Sequence, residues 1–201
     1  NDPEKGQVLW SVELALAYED LYVTIPETEE DADSFAPPDP PKPGDFWRIN
    51  FSRVEKRGDI NWTWQPQIVW DPKTHDFKGI IDMHAPDAFG YFRFVGNSND
   101  DDTSYPERDP IWPLRLTAMH IYHAQRVFYE RNNERYASTM KDLESLVDKA
   151  IVDPFEIHIF AKGKTYVALV RSVDDTKVAS VSHDRLLILQ GWVLNLHQSE
   201  E

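Results

Sequence analysis

The sequence has no cysteine, which excludes disulfides, thiolate zinc sites and a cysteine nucleophile while leaving cytosolic and exported compartments both open. It has no apolar run near the ~20 residues that a membrane helix needs. Basic side chains are short: 21 Lys and Arg stand against 35 Asp and Glu. The resulting formal charge of -14 repels a phosphate backbone, so nucleic acid is not an expected partner. G-x-S-x-G, H-E-x-x-H and a glycine-rich phosphate loop are all missing, so no standard catalytic motif is present and no enzyme activity is expected. The chain opens on Asn1, with neither a methionine nor a signal-like segment, and we expect an upstream part.

What remains is a 201-residue chain, long enough for a real core, with seven Trp, eight Tyr and ten Phe to serve either that core or a stacking surface. Residues 7–17 alternate apolar with polar or small side chains, and a strand is expected with Val8, Trp10, Val12, Leu14 and Leu16 on one face. Residues 26–45 carry proline and acidic residues in a run that sustains no helix, and a solvated loop is expected. Strand chemistry returns at 46–55 and 89–95. Residues 96–110 read as an acidic, turn-rich linker and a domain boundary. Beyond it, Pro113 and the spacing of Leu114, Ala118, Ile121 and Phe128 predict a long helix from Trp112 to about Asn132. A shorter helix is expected over 138–147, capped by Ser138, and then strands at 155–161, 165–171 and 185–190. The fold class is therefore mainly β over residues 1–95, followed at 111–201 by a small α+β unit with one long helix and an antiparallel sheet.

Residues 60–67 read I-N-W-T-W-Q-P-Q. In an extended chain Trp62 and Trp64 project to the same side, with the amides of Asn61 and Gln67 alongside. Indole faces suit the C–H faces of sugar rings, and neutral amides suit hydroxyls that both donate and accept. Spacing alone leaves two readings open, a sugar platform or two core residues of a sandwich.

The order D-F-W-R-I-N-F-S-R-V-E, then N-W-T-W-Q-P-Q, then M-H-A-P-D-A-F-G-Y-F-R-F closely resembles the C-terminal half of the family 9-like carbohydrate-binding domains. These are β-sandwich modules of secreted and surface proteins. Residues 1–18 also look like that family's strand just before this region, so the resemblance covers roughly residues 1–95. It implies a β-sandwich, of which this sequence holds a portion, and noncatalytic binding of an oligosaccharide or polysaccharide by an extracellular or cell-surface protein. The family's spacing of an Asn and a Trp three residues later, the Trp forming one wall of an aromatic clamp, is matched here by Asn61 and Trp64. The clamp's other Trp belongs to the family's N-terminal half, which the resemblance does not place within this sequence. An alternative expectation is a structural or assembly protein of an extracellular layer, fibre or complex, made with other protein chains, that reuses the scaffold without binding sugar.

No cofactor is required by this reading. Family 9 modules carry structural calcium, and the oxygen ligands here are Asn99, Asp100 and Asp102 in the acidic linker, without the glycine turn or distal glutamate of a calcium loop. His120 and His123, three apart on the long helix, are expected at its polar edge; a pair without a third ligand makes a weak metal signal. His84 is expected to be a hydrogen-bonded structural residue. Two glycosylation sequons occur, at Asn50 in a predicted core strand and at Asn61, where a glycan would compete with a bound sugar. The tail from Tyr122 faintly resembles the globular part of pilin-like proteins, which implies a packing or assembly element.

Overall fold

The computed structural model describes residues 40–55, 60–96, 105–172 and 177–191, with residues 14, 15 and 17 besides. The chain divides into two compact units, 1–42 and 43–201. The second holds every element described here. The strand expected at 7–17, most of the acidic loop at 26–45 and most of the linker fall outside the described residues.

Three antiparallel pairs make up the β-rich half: β1 (Phe46–Ile49) with β6 (Gly90–Arg93), β2 (Ser52–Glu55) with β3 (Ile60–Thr63), and β4 (Gln67–Asp71) with β5 (Asp76–Ile80). The run 46–55, expected as one strand, is broken at Asn50 and Phe51 because its halves pair with different partners. The β4–β5 hairpin occupies a stretch between the strand runs expected at 46–55 and 89–95. Its turn is local chemistry: the Asp71 carboxylate accepts from the Lys73 N–H (3.0 Å), the Asp71 carbonyl accepts from His75 N–H (2.9 Å), and His75 takes the left-handed region at φ 55°. Between β5 and β6, Pro86–Ala88 form a 3-10 turn, and Ala85 and Ala88 close a small core with Val69 and Ile80.

The second half is built around α1 (Trp112–Arg131), whose ends lie within a residue of the expectation. Asp109 starts it by accepting from Ile111 N–H (2.9 Å), and Pro113 costs no bond in the first turn. α2 (Met140–Leu143) is capped by Thr139, one residue after the Ser138 that we expected. Its side chain accepts from Asp142 N–H while Asp142 reaches back, a reciprocal box that Ser138 is not spaced to form. A 3-10 turn and α3 (Lys149–Val152) follow. Then come β7 (Phe155–Lys162), β8 (Thr165–Ser172), β9 (Lys177–Ser182) and β10 (Leu187–Gly191), in one antiparallel sheet ordered β10-β9-β8-β7. β7 and β8 are joined through Gly163-Lys164, and Gly163 at φ 61° supplies the conformation that a two-residue turn requires first.

The main core lies between α1 and this sheet. Ala118, Ile121 and Ala124 on the helix meet Tyr166, Ala168 and Val170 of β8 and Ala179 and Val181 of β9, with Leu143 and Leu146 beside them. Fully burying a side chain such as Ile121 or Leu143 contributes about 1.5–3 kcal/mol. The two halves are not separate bodies. Trp70 of β4 donates through Nε1 to the Leu146 carbonyl (2.9 Å) and stacks on His120 of α1 at 4.4 Å, and Arg185 pairs with Asp87 (2.7 Å). The boundary expected at 96–110 is thus a change of element type within one compact unit.

Two buried glutamines fix irregular backbone. Gln67 donates to the Asp82 carbonyl (2.7 Å) and accepts from Asp82 N–H (2.8 Å), and Gln125 does the same for Ala137 at 2.9 Å each way. Removing either amide strands a backbone donor and acceptor away from water. Gln67→Leu is expected to lower stability by about 2 kcal/mol, seen as a lower urea midpoint at unchanged slope.

Candidate functional site

Building from the strands, Arg48 of β1 lies directly opposite Tyr91 of β6, so both side chains share a face. The Arg48 guanidinium then meets the start of α1. It sits over the Trp112 ring at 4.2 Å and the Tyr91 ring at 5.2 Å, donates to the Asp109 carboxylate at 2.8 Å, and reaches the Phe89 carbonyl at 3.4 Å. Burial lowers the Arg48 pKa and Asp109 partly restores it, so the group stays charged and paired. Its role is to hold Trp112 in place, since the same Asp109 also starts the helix.

Trp64 lines the same groove as Trp112. Its N–H is anchored to the Phe51 carbonyl (2.8 Å), its ring meets Phe51 edge-on at 6.0 Å, and 54% of the residue is exposed. It lies close over the backbone of Gly90. A Cβ at that position would come within 2.9 Å of the indole and of the Gln65 side chain, so only glycine permits this approach. Trp64, Gln65, Ile68, Phe89, Tyr91, Trp112 and Arg48 together line an open groove of about 530 Å3. Two indoles, one phenol and one amide face a space whose one cation is already neutralised by Asp109.

No protein-family model matches this chain, and neither a curated protein nor a solved structure shows significant similarity to it. The groove therefore has to be read on its own chemistry.

The residues expected at a sugar site are divided by the structure. Trp64 lines the groove. Trp62 does not; it projects from β3 opposite Arg53 and is 61% exposed. Gln67 is corrected outright: it is 2% exposed and its amide is engaged with Asp82, so it offers a ligand nothing. Asn61 pairs with Val54 in the β2–β3 ladder, and its side chain lies outside the described residues. Asn99, Asp100 and Asp102 also lie outside them. Among the described residues no three His, Asp or Glu side chains are grouped to hold a metal ion.

The histidines are placed differently from expectation. His120 is 1% exposed, packed under Trp70, and its Nε2 accepts from Asp148 N–H at 2.8 Å. It is a core residue and not a polar edge, because β4 covers the side of α1 that looked solvent-facing. Burial pushes the pKa of both His120 and His123 down to about 4. His84 is exposed and joins the fold through its backbone N–H to Asp82. Asn50 lies at the break between β1 and β2, where its side-chain oxygen accepts from Gln65 N–H at 3.4 Å, and so it is not in a core strand.

Arg48, Tyr91 and Trp112 were not anticipated as site residues. For Trp112 a signal existed: at 100° per residue it stands about 200° round the helix from Leu114, off the stripe expected through Leu114, Ala118 and Ile121, so a large aromatic there needed other cover. Nothing local in the sequence pairs Arg48 with a residue 61 positions away.

Proposed function

We propose that the chain is a noncatalytic saccharide-binding module whose ligand lies in the groove between Trp64 and Trp112. The observation that carries this reading is the pair of indoles lining one open groove, one exposed beside a glycine that admits it and the other braced by a neutralised arginine. Such walls present flat apolar faces to a sugar ring, while the Gln65 amide and the Tyr91 hydroxyl serve hydroxyls at its rim. A neutral ligand fits because Arg48 has its counter-ion already. The resemblance of residues 1–95 to family 9-like carbohydrate-binding domains points the same way, and in this reading Trp112 takes the part of the second clamp wall. The reading carries with it a sandwich fold and an extracellular or cell-surface setting. Isothermal titration of the native full-length protein against xylan, cellulose fragments and free sugars is expected to show heat saturating at one site; absence of heat with every glycan tested refutes it.

A second reading has its own observation. Phe51, Val54, Trp62 and Met83 are exposed on and around the β2–β3 pair, at 49%, 56%, 61% and 65%, an apolar display larger than a solvated two-stranded pair needs. It favours a structural or assembly protein that buries these side chains, with Val54 and Trp62 on opposite faces of the pair, against other chains. Sedimentation as a plain monomer that binds sugar argues against that reading; concentration-dependent assembly without sugar binding argues for it.

A further inference from the structure

Below the groove, Ile68 and Trp112 also line a second, much smaller cavity of about 20 Å3 between β4 and α1. Arg115, His120 and His123 line it too, and each contributes a buried atom without a hydrogen-bond partner: Arg115 Nε, His120 Nδ1 and His123 Nε2. Unpartnered buried polar atoms are rare singly, and three on side chains that line one space call for a ligand. Two of them are necessarily donors. Arg115 Nε carries a proton at any ordinary pH, and His120 must carry its proton on Nδ1 because Nε2 accepts from Asp148 N–H. His123 Nε2 completes the set as whichever tautomer the ligand selects.

Charge decides between the occupants that such a space admits. Arg48, Arg171 and Arg185 each have a carboxylate partner, while Arg115 has none within 4 Å among the described residues. Asp109, which attracts Arg115 electrostatically, is held by Arg48. Asp87 also lines the cavity, but its carboxylate is bound by Arg185 through Nη2 (2.7 Å) and Nε (3.0 Å). A water satisfies the donors and leaves the half-buried guanidinium with no carboxylate in contact, only the more distant attraction of Asp109. An anion does both, and the volume admits one atom-sized ligand. The remaining walls, Trp70, Leu116 and Met119 among them, are polarisable and apolar, which suits a weakly hydrated anion.

We propose that Arg115, His120 and His123 hold one halide-sized monovalent anion, locking the start of α1 to β4. The test uses the full chain with sodium bromide as probe. Crystals grown or soaked in bromide are expected to show an anomalous peak between the three side chains. In solution, chloride or bromide is expected to raise the unfolding midpoint by a few degrees over gluconate at equal ionic strength. Arg115→Met should abolish that difference. Should the variant fail to fold, the wild-type crystals still decide. A peak at the three side chains supports the proposal. Non-anomalous water density there, bromide only elsewhere, or equal midpoints in bromide and gluconate each overturn it.

Discussion

Acidification from about pH 6.5 to about pH 4 is expected to remove several kcal/mol of stability, through His120 and His123. Both are pushed down to about 4, mainly by burial; the neighbouring imidazole adds to this for His120, and Arg185 for His123. In the unfolded chain each takes up a proton near the ordinary value of 6.5. Between those two values the unfolded state therefore binds more protons than the folded one, and stability is lost as the pH is lowered. Above about 6.5 the full stability is present; below about 4 these groups take away nothing more. Each histidine contributes a slope of about 1.4 kcal/mol per pH unit, or roughly 3 kcal/mol across the window. Two such groups together, about 6 kcal/mol, are comparable with the lower end of a domain's usual ~5–15 kcal/mol. Several exposed carboxylates are held below their ordinary values, Asp71 by its hydrogen bond to Lys78 and Glu156 by those to His158 and Arg171, so their losses set in as the pH falls through the ordinary carboxylate range of about 4. Urea unfolding in halide-free buffer at a series of pH values checks this, since an anion beside the imidazoles would raise both pKa values. His123→Gln should remove about one proton from the slope. A profile flat down to about pH 5 would show that the two rings are solvated.

The same histidines mark where sequence reading stops. Helical periodicity identified the stripe through Leu114, Ala118 and Ile121, because those positions are buried by the sheet that follows in the chain. It missed that the adjoining face is buried as well, since the cover comes from Trp70, fifty residues earlier, in a stretch to which no strand was assigned. β7, β8 and β10 were legible from their branched and aromatic residues. β9 was not: Lys-Val-Ala-Ser-Val-Ser carries small side chains because α1 presses on its inner face, where Ala179 and Val181 are fully buried. At the groove, Trp64 was legible as an aromatic in a suitable context. Gln67, with the same apparent promise, proved to be a backbone clamp. The difference lies in the partner of each side chain, Gly90 for one and Asp82 for the other, which no local pattern encodes.

Trp112→Ala and Trp64→Ala are each expected to weaken saccharide binding by about tenfold to a hundredfold, or ~1.4–2.8 kcal/mol, while Trp62→Ala leaves it unchanged. The two losses have different physical routes. Trp64 is more than half exposed, so truncation takes little from the fold and removes a stacking face directly. Trp112 is half-buried beneath Arg48, so its removal also frees the guanidinium, and a modest drop in stability should accompany the loss of affinity. Comparing affinity with the urea midpoint separates the routes: Trp64→Ala should move the first alone, and Trp112→Ala both. Gly90 supplies the link between them, because the start of β6 lets the Trp64 indole lie against bare backbone one residue before Tyr91, the strand partner of Arg48. If Trp62→Ala proves as damaging as either, the ligand lies on the outer face of β3 and the groove is not its site.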